Sequence, residues 1–341
     1  MGPTIYDIAR VANVSKSTVS RVLNNKSNIS EESRLRVLKA IDELNYQPSK
    51  LARALTSSGF DAIMVMSRST KTTAGNTFFS EIIYSISTRA EEENFDLIMQ
   101  TSKNSHDELE KCIAKIRGKM IKGILMLSSP ANEEFFKELD KYDIPIVVIG
   151  KLEGKFKNIY SVDTDNFNDS YQLVQHLINN GHRKIACLHS SLDYHVSIDR
   201  LEGYKQCLLD NGIPLRSDWI IDSGYTMERA YEASEELLQS NDLPTAVFAI
   251  DDLKIIGLYN TAVKLGISIP NDMSIVGYNN GVFSPLLSPP LTGIEVPIIK
   301  LGEVATNLLF SQIKKEIELP ERIIVPTKMT KKKSVIPIQG K

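Results

Sequence analysis

The run Thr4-Ile-Tyr-Asp-Ile-Ala-Arg-Val-Ala-Asn-Val-Ser-Lys-Ser-Thr-Val-Ser-Arg-Val-Leu-Asn24 decides how this chain is read. Thr4 precedes an apolar-periodic stretch and has Asp7 three residues on, the side-chain pattern of a helix N-terminus. Ile5, Ile8, Ala9 and Ala12 then share one helical face. Asn13-Val14 interrupts the period, Ser15 can cap again, and a second helix is predicted from Lys16 to about Asn24. Its Val19, Val22 and Leu23 point one way, and Lys16, Ser17, Ser20 and Arg21 point the other. Two short helices about a tight turn, the second basic and hydroxylic outside, form a helix-turn-helix. A second helix of that kind suits the major groove of DNA.

Working outward, Ser30 caps a predicted third helix, Glu31 to about Asn45, with its acids in the first turn where the macrodipole favours them. Leu35, Leu38, Ile41 and Leu44 are its expected packing stripe. Residues 1–56 hold nine Lys/Arg against five Asp/Glu, a net +4, so the rest of the chain carries −6 of the total −2. A basic head on an acidic body suits one end docking on phosphate. After Pro48, the segment Ser49–Thr56 has good helix formers but too few of them to hold a helix alone in water. It is expected to order only on a partner.

The run Thr4–Asn24, followed by Leu44-Asn45-Tyr46-Gln47-Pro48, closely resembles the headpiece of the lactose/galactose repressor family. The resemblance implies that Lys16, Ser17 and Arg21 read bases, and the chemistry agrees. Arg21 can fork to guanine O6 and N7, and Ser17 can meet donor or acceptor edges. Thr4, Tyr6, Ser15, Thr18, Ser20 and Asn24 complete the expected DNA-facing set, the hydroxyls suiting phosphate. In the family the hinge folds in the minor groove beside its dimer mate, and an apolar side chain levers a base step apart. Leu55 stands at that position.

From Asp61 onward, short apolar runs (such as Ala62–Met66, Gly123–Leu127, Ile144–Ile149, Ile185–Leu188 and Ala246–Ile250) alternate with amphipathic helical stretches. This is the rhythm of an α/β core with parallel sheets covered by helices. The stretch is too long for one simple sheet, so two lobes are expected. The resemblance implies a periplasmic-binding-protein-like core. The expected division is headpiece 1–47, hinge 48–60 and core 61–341, with lobes at about 61–160 plus 291–321 and about 161–290 plus 322–341. Ligand would sit in the cleft at the strands' carboxyl ends.

Catalytic motifs are missing: there is no P-loop, G-x-S-x-G, H-E-x-x-H or G-x-G-x-x-G. Asp163 and Asp165 are the carboxylates a glycosidase would use, but nothing local pairs them. His182 and His189 flank a strand and read as structural. No metal or cofactor is expected. Cys112, Cys187 and Cys207 lack C-x-x-C spacing and read as buried free thiols. With no apolar run of spanning length and no signal core at the N-terminus, a cytoplasmic protein that meets no membrane is expected.

Sugar recognition needs aromatic faces for the ring and planar polar groups for the hydroxyls. By the resemblance, Phe78 and Phe79, Ser128, Arg200, Tyr225, Asp251 and Asn279 supply them. Thr77 replaces the family's proline before the Phe pair, and Asn279-Asn280 replaces its usual Asp-Asp. An amide there both donates and accepts, which still suits a neutral polyol. The expected protein is a homodimeric repressor on a pseudo-palindromic operator, released by a carbohydrate effector. It looks most like the maltose-type repressors, which implies a malto-oligosaccharide. A catabolite regulator with a phosphorylated carrier protein as corepressor is the alternative. The C-terminal stretch carries no leucine heptad for a tetramerisation coil.

Overall fold

The computed structural model describes residues 3–23, 28–46, 60–68, 77–279, 284–315 and 321–338. The chain divides into two compact units, Met1–Phe60 and Asp61–Lys341.

The first unit holds α1 (Ile5–Val11), α2 (Lys16–Leu23) and α3 (Glu31–Glu43). Asp7 accepts from the Thr4 amide at 2.9 Å and the Thr4 hydroxyl at 2.7 Å, closing the start of α1. Asn13 takes φ 50° in the turn, a conformation asparagine tolerates better than most residues. Ser15 Oγ accepts from Thr18 N at 3.1 Å, and Ser30 Oγ accepts from Ser33 N at 3.3 Å. The core is Ile8, Ala12, Val19, Val22, Val37 and Ala40, flanked by half-buried Ile41 and Leu44. This corrects the stripe expected for α3: Leu35 is 59% and Leu38 50% exposed. The buried set 37, 40, 41, 44 has the i, i+3, i+4, i+7 spacing. Leu35 and Leu38 lie outside it, on the flank of the helix.

The second unit contains two six-stranded sheets. The first has the order β11-β5-β4-β3-β1-β2, with β1 Ala62–Arg68, β2 Asp96–Ser102, β3 Gly123–Met126, β4 Ile146–Ile149, β5 Ile159–Asp163 and β11 Arg322–Ile324. All its pairings are parallel. The second has the order β12-β10-β9-β8-β6-β7, with β6 Ile185–His189, β7 Ile220–Asp222, β8 Ala246–Ala249, β9 Ser274–Asn279, β10 Thr292–Glu295 and β12 Lys328–Thr330. Only β12 runs antiparallel there. The helices are α4 Thr77–Glu92, α5 Ser105–Arg117, α6 Glu133–Leu139, α7 Asn166–Asn179, α8 His195–Asp210, α9 Met227–Leu238, α10 Asp252–Leu265 and α11 Ile298–Lys314.

Strand periodicity explains the layering. In β1, Ile63 and Val65 pack on one face with side chains of α4 and α11, while Met64 and Met66 pack on the other with those of α5 and α6. In β6, Ile185 and Cys187 join α7 and α8, and Ala186 and Leu188 join α9 and α10. Both faces of each sheet are covered, as parallel strands require.

The chain crosses between the sheets after β5, after β10 and after β11. The expected lobe boundaries therefore move, the one near 160 to beyond Asp163, which pairs in the first sheet. Residues 292–295 pair with β9 in the second sheet, and residues 322–324 pair with β5 in the first. Short strands at a crossing have no periodicity long enough to assign them to a lobe. The three cysteines are buried and free. Burial pushes their thiols up, that of Cys207 to about 12, so none is poised as a thiolate.

Candidate functional site

Two surfaces carry chemistry. On α2, Lys16, Ser17 and Arg21 are exposed while Val19 and Val22 are buried, so one short helix presents a polar ridge on an apolar base. Ser15 Oγ lies 2.7 Å from Ser17 Oγ and 2.8 Å from Thr18 Oγ1. Lys16 Nζ donates to Tyr6 OH at 3.0 Å and stands 4.5 Å from the ring centre. That hydrogen bond and the lysine charge draw the Tyr6 phenol below its ordinary range. Tyr6 is 65% exposed, so both groups are open to a partner. Ser20 is half-buried, and Thr4 sits exposed at the start of α1. Asn24 and Leu55 lie outside the described residues.

The second surface is the cleft between the sheets, where residues at or just past the strand ends converge: Arg68, Ser128, Gly150, Asp163, Ser190 and Asp251. Such convergence at carboxyl ends is where open α/β sheets bind ligands. Gly150 has φ +134°, and a Cβ there would meet Ser129 Cβ at 2.9 Å, so glycine lets the cleft floor close.

Of the expected effector residues, Phe78, Phe79, Ser128, Arg200, Tyr225 and Asp251 all line this one cavity. Phe78 and Phe79 meet edge-to-face at 5.4 Å. Ser128 is buried, and its Oγ has no hydrogen-bond partner among the described groups, which suits an incoming hydroxyl. The Arg200 Nε donates to Asn166 Oδ1 at 2.9 Å, a second nitrogen donates to Ile250 O, and the guanidinium lies 3.4 Å from the Tyr278 ring centre. Asp251 caps α10, its Oδ1 accepting from Leu253 N and Lys254 N, and its Oδ2 accepts from Ser190 Oγ at 3.1 Å. Burial opposes ionisation of Asp251, but the Lys254 ammonium at 2.9 Å and its hydrogen bonds hold the carboxyl below the usual range. Tyr225 OH donates to Ser191 O at 2.6 Å, and the Arg68 guanidinium lies 4.6 Å from its ring centre. Asn279 ends β9; its side chain and Asn280 lie outside the described residues.

Sequence reasoning missed Arg68, Asn166, Ser190, Lys254 and Tyr278. No local motif marks them, because each reaches the cavity from a different strand or helix end. Asp163 and Asp165 do not form a catalytic pair. Asp165 is exposed and accepts from Asn168 N at 3.1 Å, whereas Asp163 is buried and accepts from Thr164 N at 2.8 Å and Asn166 Nδ2 at 3.0 Å. His182 contacts Thr245 Oγ1 at 3.0 Å and Ile336 O at 3.1 Å, tying the C-terminal stretch to the second sheet.

Burial pushes the Asp163 carboxyl up to about 7, against the backbone bond from Thr164 and the pull of Arg322. Glu108, fully buried on α5, is also pushed up to about 7, with Arg68 opposing. Unfolded, both ionise in the ordinary carboxylate range. Between about pH 4 and pH 7 the native chain therefore holds protons that the unfolded chain has released. Their contribution to stability is present at low pH and is lost as pH rises through 7. Thermal melts should show the core losing more stability between pH 5 and pH 8 in the parent than in Asp163→Asn/Glu108→Gln. That comparison cancels exposed carboxylates shifted the other way, such as Asp242. Equal pH slopes in the two proteins would rule out the assignment.

A helical head with an exposed polar ridge and a two-lobed core with a cleft at its strand ends define the class of ligand-responsive DNA-binding regulators. Residues 4–49 match the family of bacterial regulatory proteins, lacI family, and residues 174–335 match the periplasmic binding protein-like domain. The chain is 33% identical over 330 residues to catabolite control protein A of Priestia megaterium, covering 95% of this chain and 98% of that protein. It is 34% identical to the HTH-type transcriptional repressor PurR of Vibrio vulnificus, covering 91% and 92% respectively. Among solved structures, a transcriptional regulator CelR–cellobiose complex aligns with TM-score 0.73 at 27% identity, over 97% of this chain and 99% of that one. The lac repressor dimer bound to operator and the anti-inducer ONPF shares the fold, with TM-score 0.85 at 22% identity over 98% and 100%. The chain belongs to the lacI family of bacterial regulatory proteins and is a DNA-binding transcription regulator. Among its described residues no helix is long and apolar enough to cross a membrane.

Proposed function

We propose that the protein is a cytoplasmic, homodimeric repressor that reads a pseudo-palindromic operator through α2 and releases it when a carbohydrate fills the cleft. The observation that carries the effector class is the cavity wall itself. The aromatic faces of Phe78, Phe79 and Tyr225 stand with hydroxyl-binding groups on Ser128, Arg200 and Asp251. Apolar walls with a few placed polar groups are the usual make-up of a small-molecule site. A malto-oligosaccharide or related glucoside is the proposed ligand, and the cellobiose complex of a similar regulator supports a saccharide of this kind. Effector must bind one state better than the other, since a ligand with equal affinity for both shifts nothing. In this reading, closure of the lobes changes the affinity for DNA.

Operator-binding titrations against glucose, maltose, maltotriose and sucrose test the reading. Sugar-dependent release is the expected result, and no response to any of them overturns the effector class. Similarity to catabolite control protein A favours one second reading, a catabolite regulator with a phosphorylated carrier protein as corepressor. A pull-down with that carrier, with and without its serine phosphate, separates the two. On the DNA side, Arg21→Ala should cost roughly 1–3 kcal/mol and relax one base position. Competition with single-base operator variants checks it, and equal weakening on every sequence would mark Arg21 as a phosphate contact instead.

A further inference from the structure

Arg68 makes a contact that the effector reading leaves unused. It ends β1 in the first lobe, yet its guanidinium lies 3.9 Å from the ring centre of Tyr194 and 4.6 Å from that of Tyr225. Both tyrosines flank helices of the second lobe, and their rings meet edge-to-face at 6.2 Å. Glu108, fully buried on α5, lies within the electrostatic reach of Arg68.

The same side of the cleft is stitched shut by backbone. Pro130 and Tyr194 form an antiparallel bridge, His195 N donates to Ser129 O at 3.1 Å, and Ala131 N donates to Asp193 O at 2.8 Å. Lys151 of the first lobe meets Asp199 of the second at 3.1 Å. With these contacts made, the cavity has a volume of about 150 Å³. That is well below the roughly 300–1,000 Å³ of pockets for drug-sized ligands. It matches one sugar ring better than a chain of rings. Of the two rings under the guanidinium, Tyr225 lines the cavity, so a further sugar ring can stack on that face only once Arg68 has moved.

We infer that Arg68 sets the length of saccharide the cleft accepts: with its guanidinium on Tyr194 and Tyr225 the cleft holds one ring, and further rings bind only by displacing it. This rests on the carbohydrate reading given above. A cation on an aromatic face away from water is held firmly. Longer saccharides therefore bind against that hold, and a single ring does not.

Calorimetric titration of the full-length chain with glucose, maltose and maltotriose tests the inference in the parent, in Arg68→Ala and in Arg68→Met. The methionine variant keeps most of the stem's packing should alanine fail to fold. The maltotriose-to-glucose affinity ratio should rise about tenfold or more in a folded variant. A ratio unchanged from the parent overturns the inference, as does equal weakening of all three sugars, which marks a merely structural arginine. If the parent binds none of the three, the carbohydrate reading falls first and this inference falls with it. If the parent binds maltotriose, a crystal of that complex should show the guanidinium away from both rings; finding it still in place also overturns the proposal.

Discussion

Arg200→Ala should abolish the response to effector while leaving operator affinity close to that of the parent. The guanidinium is a hub: it donates to Asn166 Oδ1 and to Ile250 O and covers the Tyr278 ring. Asn166 in turn donates to Asp163, and Tyr278 OH donates to Asn166 O at 2.9 Å. Truncation leaves buried acceptors without a donor and removes a planar, fixed cation from the cavity wall. Each hydrogen bond from a charged donor is worth about 1.5–3 kcal/mol, so loss of those this cation offers the effector should lower its affinity by about 100-fold. The proposed DNA-reading helix, α2, belongs to a separate compact unit with its own core, which is why operator binding should persist. Operator titration in the presence and absence of sugar, together with calorimetry for the sugar alone, measures both. A variant that still releases operator at the parent's sugar concentration would remove Arg200 from the effector site.

The reverse separation should follow from Ile8→Ala. Ile8 is fully buried at the centre of a six-residue core shared by α1, α2 and α3. Ile→Ala in a core costs about 2–5 kcal/mol. At about 0.05–0.15 kcal/mol per residue, a headpiece of this length has only a few kcal/mol in total. The unit should be largely unfolded, α2 should lose its ridge, and sequence-specific operator binding should disappear. Effector affinity should stay at the parent's value, because no residue of that cluster lines the cleft. Circular dichroism of the isolated head, operator titration and sugar calorimetry check the three parts. Undiminished operator affinity would mean that the core of the head is not built as described.

The headpiece was legible in sequence because its information is local. Caps at Thr4, Ser15 and Ser30 and the 3.6-residue period place all three helices to within a residue or two of where they form. The α3 stripe failed because two leucines looked like core by type, while positions 35 and 38 lie off the face that Val37, Ala40, Ile41 and Leu44 turn to the core. In the core, buried strands such as Ala62–Arg68 were visible as apolar runs. The three-residue strands at 220–222, 322–324 and 328–330 were not, being too short to show alternation. Phe78, Phe79, Ser128, Arg200, Tyr225 and Asp251 were found through motif resemblance, and the structure gathers them in one cavity.

Chain order alone thus determined the helix-turn-helix and the parallel α/β rhythm, since each is written in periodicity and spacing over a few residues; the residues suited to bases and to a sugar stood out only through resemblance to a family. Tertiary structure decided which lobe owns residues 292–295 and 322–324, and it decided the closed cleft. Arg68, Asp163, Lys254 and Tyr278 become neighbours only when two separate sheets bring their strand ends face to face. Contacts between residues so far apart along the chain leave no mark in any local stretch of sequence, because the free energy that selects them is that of packing whole layers.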